Sequence, residues 1–325
     1  MRGIRIINPG LYSTIQDNGR TGFREFGLPV SGAMDIYSFH HANWLVRNDI
    51  NEAVIETTFP GIEIEFMSPT IFAVTGGDMF PELNGKRIMS WKSYRAKPGA
   101  RLALTRLVNG ARSYISFSGG FRIDSELNSL STYVKGKLGG YRGRELRKGD
   151  IIPLFPGLPY LFNKRKVPDN RIPEFKDSVD LRVLRGVNYD YFSPSSINKF
   201  LKQKFIVSSK SDRMGLRLEG NNIEALDKRQ IISYGIGPGA IQVPGDGNPI
   251  IMGMDCQTVG GYPQIANILT SDIPLLGQLK PGDQIRFRIS SMEEALELIK
   301  IYDSKIMQLF GNKGSVCTDC IEKRR

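Results

Sequence analysis

Glycine and proline interrupt this chain about once every six residues, occupying 53 of its 325 positions (35 and 18 respectively). Glycine weakens any regular element it enters, and proline removes a backbone donor, so elements between them must be short. What lies between them reads as strand. Ile62-Glu-Ile-Glu-Phe66 alternates apolar and polar residues as a half-buried strand does, and Ile71 to Thr75 runs apolar into Gly76-Gly77. Arg101 to Leu107, Ser113 to Phe117, Leu181 to Leu184 and Phe205 to Val207 continue the pattern, as do Ile231-Ile232, Ile241 to Val243, Ile250 to Met252 and Gln284 to Ile289. Many short strands joined by Gly/Pro turns predict a mainly β chain built as a sandwich or barrel.

Helical signals are few. One helix is expected over Met34–Val46, with Ser31 near its start and Asp35 suited to its positive end. A short one is expected over Ser195–Gln203. The clearest spans 292–310: Ser291 and Glu294 have capping-box spacing, and Ala295, Leu298, Ile299, Tyr302, Ile306 and Leu309 trace one face that closes the last barrel. An internal echo divides the chain. Gly139-Gly-Tyr141 leads to Leu146-Arg-Lys-Gly-Asp150, and Gly260-Gly-Tyr262 leads to Leu279-Lys-Pro-Gly-Asp283. Lys97-Pro-Gly99 before Leu102 and Leu104 repeats the turn. Two similar barrels are therefore expected, at 1–165 and 166–310, with a tail at 311–325 and a polar linker within Asn163 to Asp180.

A net charge of +11 admits nucleic acid, an anionic small molecule or an acidic partner. The densest basic runs, Lys164-Arg165-Lys166 and Lys323-Arg324-Arg325, come without any nucleic-acid-binding motif, so no specific nucleic acid is expected. Two histidines nearly exclude a multi-histidine metal centre, and His40 and His41, about 100° apart on a helix, cannot share a face as ligands; at least one should be a surface or packing residue. Cys256 reads as core, and Cys317/Cys320 as an incidental tail pair or a disulfide. No run of about 18 apolar residues exists to span a membrane, and the N-terminus lacks a signal-peptide core, so a cytoplasmic protein is expected.

Three polar constellations stand out. In Gln16-Asp-Asn-Gly-Arg20 and Pro29-Val-Ser-Gly-Ala-Met-Asp35, Asp17 and Arg20 flank a turn and Ser31 precedes a helix. Arg20 suits a planar carboxylate, although an Asp–Arg pair bracing a turn accounts for the spacing equally well. Ser211-Asp-Arg-Met-Gly-Leu-Arg-Leu218 sets Arg213 and Arg217 four apart, which is also what a basic surface strand would show. In the Gly-rich run from Gly239 to Tyr262, Asp255 and Thr258 sit among apolar residues. A buried carboxylate needs a partner, which Arg213 or a ligand can supply, and Gly260-Gly261 would let a ligand approach the backbone. Neither a P-loop nor a GxSxG elbow is present.

These motifs, with Glu56, Ser118-Gly-Gly120, Ser131-Thr132, Gly143-Arg144, Gly239-Ala-Ile-Gln-Val-Pro244 and Gly260-Gly-Tyr-Pro263, closely resemble the KipA family over about residues 2 to 290. That family is also called the 5-oxoprolinase C subunit, biotin-dependent carboxyltransferase or allophanate hydrolase subunit 2. The resemblance implies two tandem cyclophilin-like β-barrels and assembly with KipI-like and LamB/YcsF-like partner subunits. It implies ATP-dependent hydrolysis of 5-oxoproline to glutamate, with ATP bound by or shared with the partners. Asp17, Arg20, Asp35, Arg213 and Asp255 become the catalytic candidates; Ser31, Arg217, Gln242, Thr258, Gly260, Gly261 and Tyr262 become the candidates for holding a small anionic substrate. Two alternatives remain: carboxyl transfer from biotin to urea, or a non-catalytic regulator binding a KipI-like partner.

Overall fold

The computed structural model describes residues 2–157, 163–226 and 231–310. They form two compact units. Among the described residues the first takes those within 2–20 and 31–175, the second those within 21–30 and 176–310, so the chain leaves the first unit after Arg20 and re-enters it at Ser31.

The first unit holds two antiparallel sheets. Six strands run in the order Ile151–Pro153, Gly3–Pro9, Ile62–Phe66, Arg101–Leu104, Pro81–Leu83 and Lys86–Arg87. Five run in the order Tyr12–Gln16, Val54–Thr58, Arg112–Phe117, Thr70–Gly76 and Lys92–Ala96. Alternation in Ile62–Phe66 sends Ile62, Ile64 and Phe66 into a core shared with Ile4, Phe72, Ile115 and Phe117. Helix α1, Ile36–Val46, lays Phe39 and Ala42 against Val54 and Tyr114, and Leu45 and Val46 against Ile71, Ala73 and Trp91. Its cap is Asp35, whose side chain accepts from Ser38 N, so the helix begins two residues later than the pattern suggests.

Residues 163–175 do not form a loose linker. Val167 is fully buried with Trp91, Arg165 donates to the Trp44 carbonyl at 2.6 Å, and the unit ends only at Phe175.

The second unit is a closed seven-stranded barrel in the order Ser178–Arg185, Gln264–Ile268, Ala240–Gln242, Ile250–Met252, Gly215–Glu219, Phe205–Val207 and Gln284–Ile289. The last strand closes on the first in parallel, from Ser178↔Gln284 to Val183↔Ile289. Helices α2 (Pro194–Lys202), α3 (Ile273–Leu276) and α4 (Met292–Phe310) accompany it. Phe200 of α2 stacks on Phe287 of the last barrel strand, ring centroids 4.5 Å apart. In α4 the predicted face is the one turned inward, Ala295 and Ile306 being buried, and Ser291 Oγ accepts from Glu294 N. Ile231-Ile232, expected as strand, is irregular, and Ile232 is 90% exposed.

The repeated turns share one geometry. Asp150 N donates to Arg147 O and Asp283 N to Lys280 O, both at 3.1 Å, across left-handed Gly149 (φ 90°) and Gly282 (φ 92°), as a type II turn requires. Each aspartate also accepts from the backbone N–H three residues back, at 2.8 and 2.9 Å. The Gly-Gly-Tyr half of the echo does not repeat: Gly139 and Gly140 are left-handed, Gly260 and Gly261 are not. The expectation at Cys317/Cys320 falls outside the described residues. No described helix is long and apolar enough to cross a membrane.

Candidate functional site

The predicted residues divide between the units: Asp17, Arg20, Ser31 and Asp35 lie in the first, the others in the second.

In the first unit the polar residues hold structure. Asp17 accepts from Gly19 N (2.8 Å), Ser129 Oγ (2.8 Å), Leu130 N (2.6 Å) and Ser131 Oγ. Arg20, buried, donates to the carbonyls of Glu126 (3.2 Å) and Ser131 (2.9 Å). The two therefore both hold the 126–131 loop, while Asp17 also closes its own turn through Gly19 N. Asp35 is engaged as the α1 cap, its second oxygen taking the Ser38 hydroxyl at 2.5 Å. An acid–base role asks for a carboxylate oxygen turned toward a substrate, and both aspartates instead face donors of their own unit. Ser31 is buried at φ 57°, and its hydroxyl has no hydrogen-bond partner among the described residues.

Glu56 belongs to the same unit. Its carboxylate accepts from Met34 N (2.8 Å) and Tyr114 Oη (2.9 Å) and lies 3.7 Å from Arg112 Nε. Tyr114 Oη in turn accepts from Asp35 N at 2.7 Å, and burial with Glu56 beside it pushes the Tyr114 hydroxyl well above the usual phenol range. The network ties the entry of α1 to the central strands. His40 and His41 on α1 are both buried, which removes the surface reading of either; His41 Nδ1 lies 2.8 Å from the Tyr37 carbonyl.

The second unit carries an open concave site. Residues 24–27 and Val30 of the excursion, residues 235–238, Thr258 and Val259 line an open cleft of about 850 Å³. A two-stranded ribbon builds one wall, Tyr234–Gly235 pairing with Val259–Gly260, and Ile236 N extends it by donating to Thr258 O at 3.0 Å. Opposite, Arg24 sits on a single turn, Arg24–Phe26, closed by left-handed Gly27 (φ 80°), whose N–H donates to Arg24 O. Arg24 Nη2 donates to the Ile236 carbonyl, while Nη1 is buried without a hydrogen-bond partner among the described residues. Beside it the Cys256 thiol is pushed up to about 11 by burial, with the Arg24 charge pulling the other way.

In the same unit, Arg213 and Asp255 form a buried, two-bonded ion pair, Nε to Oδ2 at 2.8 Å and Nη2 to Oδ1 at 3.1 Å. The partner that Asp255 requires is Arg213, and Asp255 N also donates to Arg213 O at 3.0 Å. The pair anchors the 253–258 loop that delivers Cys256 and Thr258. Gln242 Nε2 and Tyr234 Oη both donate to the Tyr262 carbonyl, at 3.0 and 2.9 Å. A Cβ on Gly260 would lie 2.9 Å from both Gln242 Nε2 and Ile236 Cδ1. Side chains pack closely on Gly260, which by itself accounts for its small size; Gly261 is likewise hemmed by the Ile231 carbonyl at 3.3 Å. Arg217 points outward, exposed.

Of the sequence-predicted residues, Thr258 alone lines this cleft, and Arg24 was missed. Arg24 falls in the gap between the Gln16–Arg20 and Pro29–Asp35 motifs, and a single arginine in a glycine-rich stretch has no spacing to mark it. The remaining lining is mostly apolar or glycine, with Glu25 its one carboxylate among the described residues. Among the described residues no cluster of three or more His, Cys, Asp or Glu is placed to hold a metal ion. The arrangement can seat a compact molecule with an apolar body and present one cation to it.

A carboxyltransferase-domain family profile, subdomains A and B, matches residues 26–289. The C subunit of 5-oxoprolinase from Escherichia coli (strain K12) is 36% identical over 296 residues, covering 90% of this chain and 93% of that protein. The urea amidolyase of Saccharomyces cerevisiae is 34% identical over 95% of this chain, which spans only 18% of it. The crystal structure of the Kluyveromyces lactis urea amidolyase superposes with a TM-score of 0.90 over 98% of this chain, at 29% identity, and this chain spans 21% of that one.

Proposed function

The chain belongs to the carboxyltransferase-domain family, subdomains A and B, and we propose that it serves there as the C subunit of an ATP-dependent 5-oxoprolinase. The observation that carries this reading is the near end-to-end correspondence with a single-chain relative of that name, where the urea amidolyases are about five times longer. In the reaction the ring amide C–N bond breaks, water supplies a hydroxyl to the carbonyl carbon and a proton to nitrogen, and cleavage of ATP to ADP and phosphate drives it. The cleft does not fit the nucleotide. Among the described residues one guanidinium and one carboxylate line it, too little charge to balance a triphosphate, so ATP is assigned to the KipI-like and LamB/YcsF-like partners, in the cytoplasm.

Within the chain, Thr258 faces the substrate, while Arg213 and Asp255 act as positioning residues for the loop that carries it. Gln242 and Tyr262 hold the ribbon in place through the Tyr262 carbonyl. Biotin-dependent carboxyl transfer to urea is the second reading, favoured by the family description and the close superposition on a urea amidolyase. Mixing the chain with its two partners should give 5-oxoproline-dependent release of phosphate from ATP. A preparation that instead carboxylates urea from a biotinylated carrier assigns the second reading.

A further inference from the structure

We infer that Arg24 is the specificity residue of the second-unit cleft, reading a carboxylate on a compact, largely apolar ligand. A guanidinium has donors and no acceptor, and a carboxylate has only acceptors, so each supplies what the other lacks. Arg24 Nη2 is already committed to the Ile236 carbonyl, but Nη1 is buried with no hydrogen-bond partner among the described residues. Leaving such a donor unmet carries a desolvation cost, which an arriving anion relieves. The open side of the guanidinium is the Nη2 side, where the cleft lining is glycine. A Cβ built on Gly237 meets nothing nearer than Arg24 Nη2 at 3.7 Å, and one built on Gly27 meets nothing within 4 Å.

The rest of the cleft selects the class of anion. Among the described residues Arg24 is its one cationic lining residue and Glu25 its one acidic one, which suits a single negative charge better than a polyphosphate. Val30, Ile236, Pro238 and Val259 offer apolar surface to the ligand's body. Arg24 also hydrogen-bonds the Cys256 thiol, but burial raises that thiol to about 11, so at neutral pH it is a weak, uncharged acceptor and leaves the Arg24 charge unbalanced. Between the two candidate substrates, 5-oxoproline bears a carboxylate and urea bears no charge, so this residue is where the chain separates them. The inference rests on the 5-oxoproline reading for the ring, and on Arg24 for the charge.

The test titrates the full chain, and its Arg24→Gln and Arg24→Lys variants, with 5-oxoproline, with 2-pyrrolidinone (the same lactam without its carboxylate) and with urea. The natural chain should bind 5-oxoproline about 10- to 100-fold more tightly than 2-pyrrolidinone, the range for a hydrogen bond to a charged group. Arg24→Gln should bind both lactams equally, at the 2-pyrrolidinone affinity of the natural chain, which also shows its cleft intact. Arg24→Lys should regain part of the preference. If Arg24→Gln keeps the full preference, the inference is wrong while the 5-oxoproline reading stands. Binding of urea with neither lactam bound overturns both.

Discussion

Arg213 and Asp255 exchange two hydrogen bonds with side chains only 6% and 7% exposed. Desolvation makes such a pair costly to break from one side and nearly neutral to replace as a whole. Arg213→Ala should therefore destabilise the protein by about 3–5 kcal/mol, and Arg213→Met with Asp255→Leu should recover most of that loss. Urea unfolding of the three proteins measures it; equal destabilisation in the single and double variants would contradict the account. The requirement for a partner was legible at Asp255, since a carboxylate inside an apolar run cannot stand alone. The function of Asp17 and Arg20 was less so. Their spacing suggested each other, but they bond to Ser129, Ser131 and Glu126, more than a hundred residues away in sequence, which no local pattern reveals. Arg24 was silent for the opposite reason: its meaning lies in a nitrogen with no hydrogen-bond partner among the described residues.

Helix α1 shows what an element adds to its residues. Its position followed from the apolar pattern and Asp35, and its cap is the residue the helix dipole favours. The burial of both consecutive histidines did not follow, because α1 is covered on more than one side: Phe39 and His40 contact at 5.2 Å, and His41 packs between Tyr37 and Trp91. Burial lowers His40 to about 3 and His41 to about 4. The unfolded chain, with histidines near 6.5, takes up protons first, so stability is whole above pH 6.5 and falls as pH drops toward the folded values. At pH 5 the loss should be about 2 kcal/mol per histidine. Unfolding free energies at pH 7.5 and pH 5 check this, and His40→Leu should roughly halve the difference; an unchanged difference would count against the burial argument. The turns at 147–150 and 280–283 were readable because Gly-Asp chemistry is local. The two Gly-Gly-Tyr segments were misleading, since glycine spacing does not say whether a left-handed φ or a packed side chain demands it.

At the scale of the whole molecule, the mainly β character and the barrel of the second unit were written in Gly/Pro-punctuated strands. The first unit's two sheets and the reassignment of residues 21–30 to the second unit were not, because strand order depends on pairings far apart in sequence. That excursion is what brings Arg24 to the cleft wall, so the missed topology and the missed residue are one event. The net charge of +11 fits a surface for acidic partners, and the chain is proposed to act as one of three subunits. The decisive measurement is glutamate formed from 5-oxoproline and ATP by the three purified proteins, with and without this chain. The account predicts about one glutamate per ADP with the chain present, and no glutamate when it is omitted. Undiminished glutamate formation without this chain, or none with all three, would contradict it.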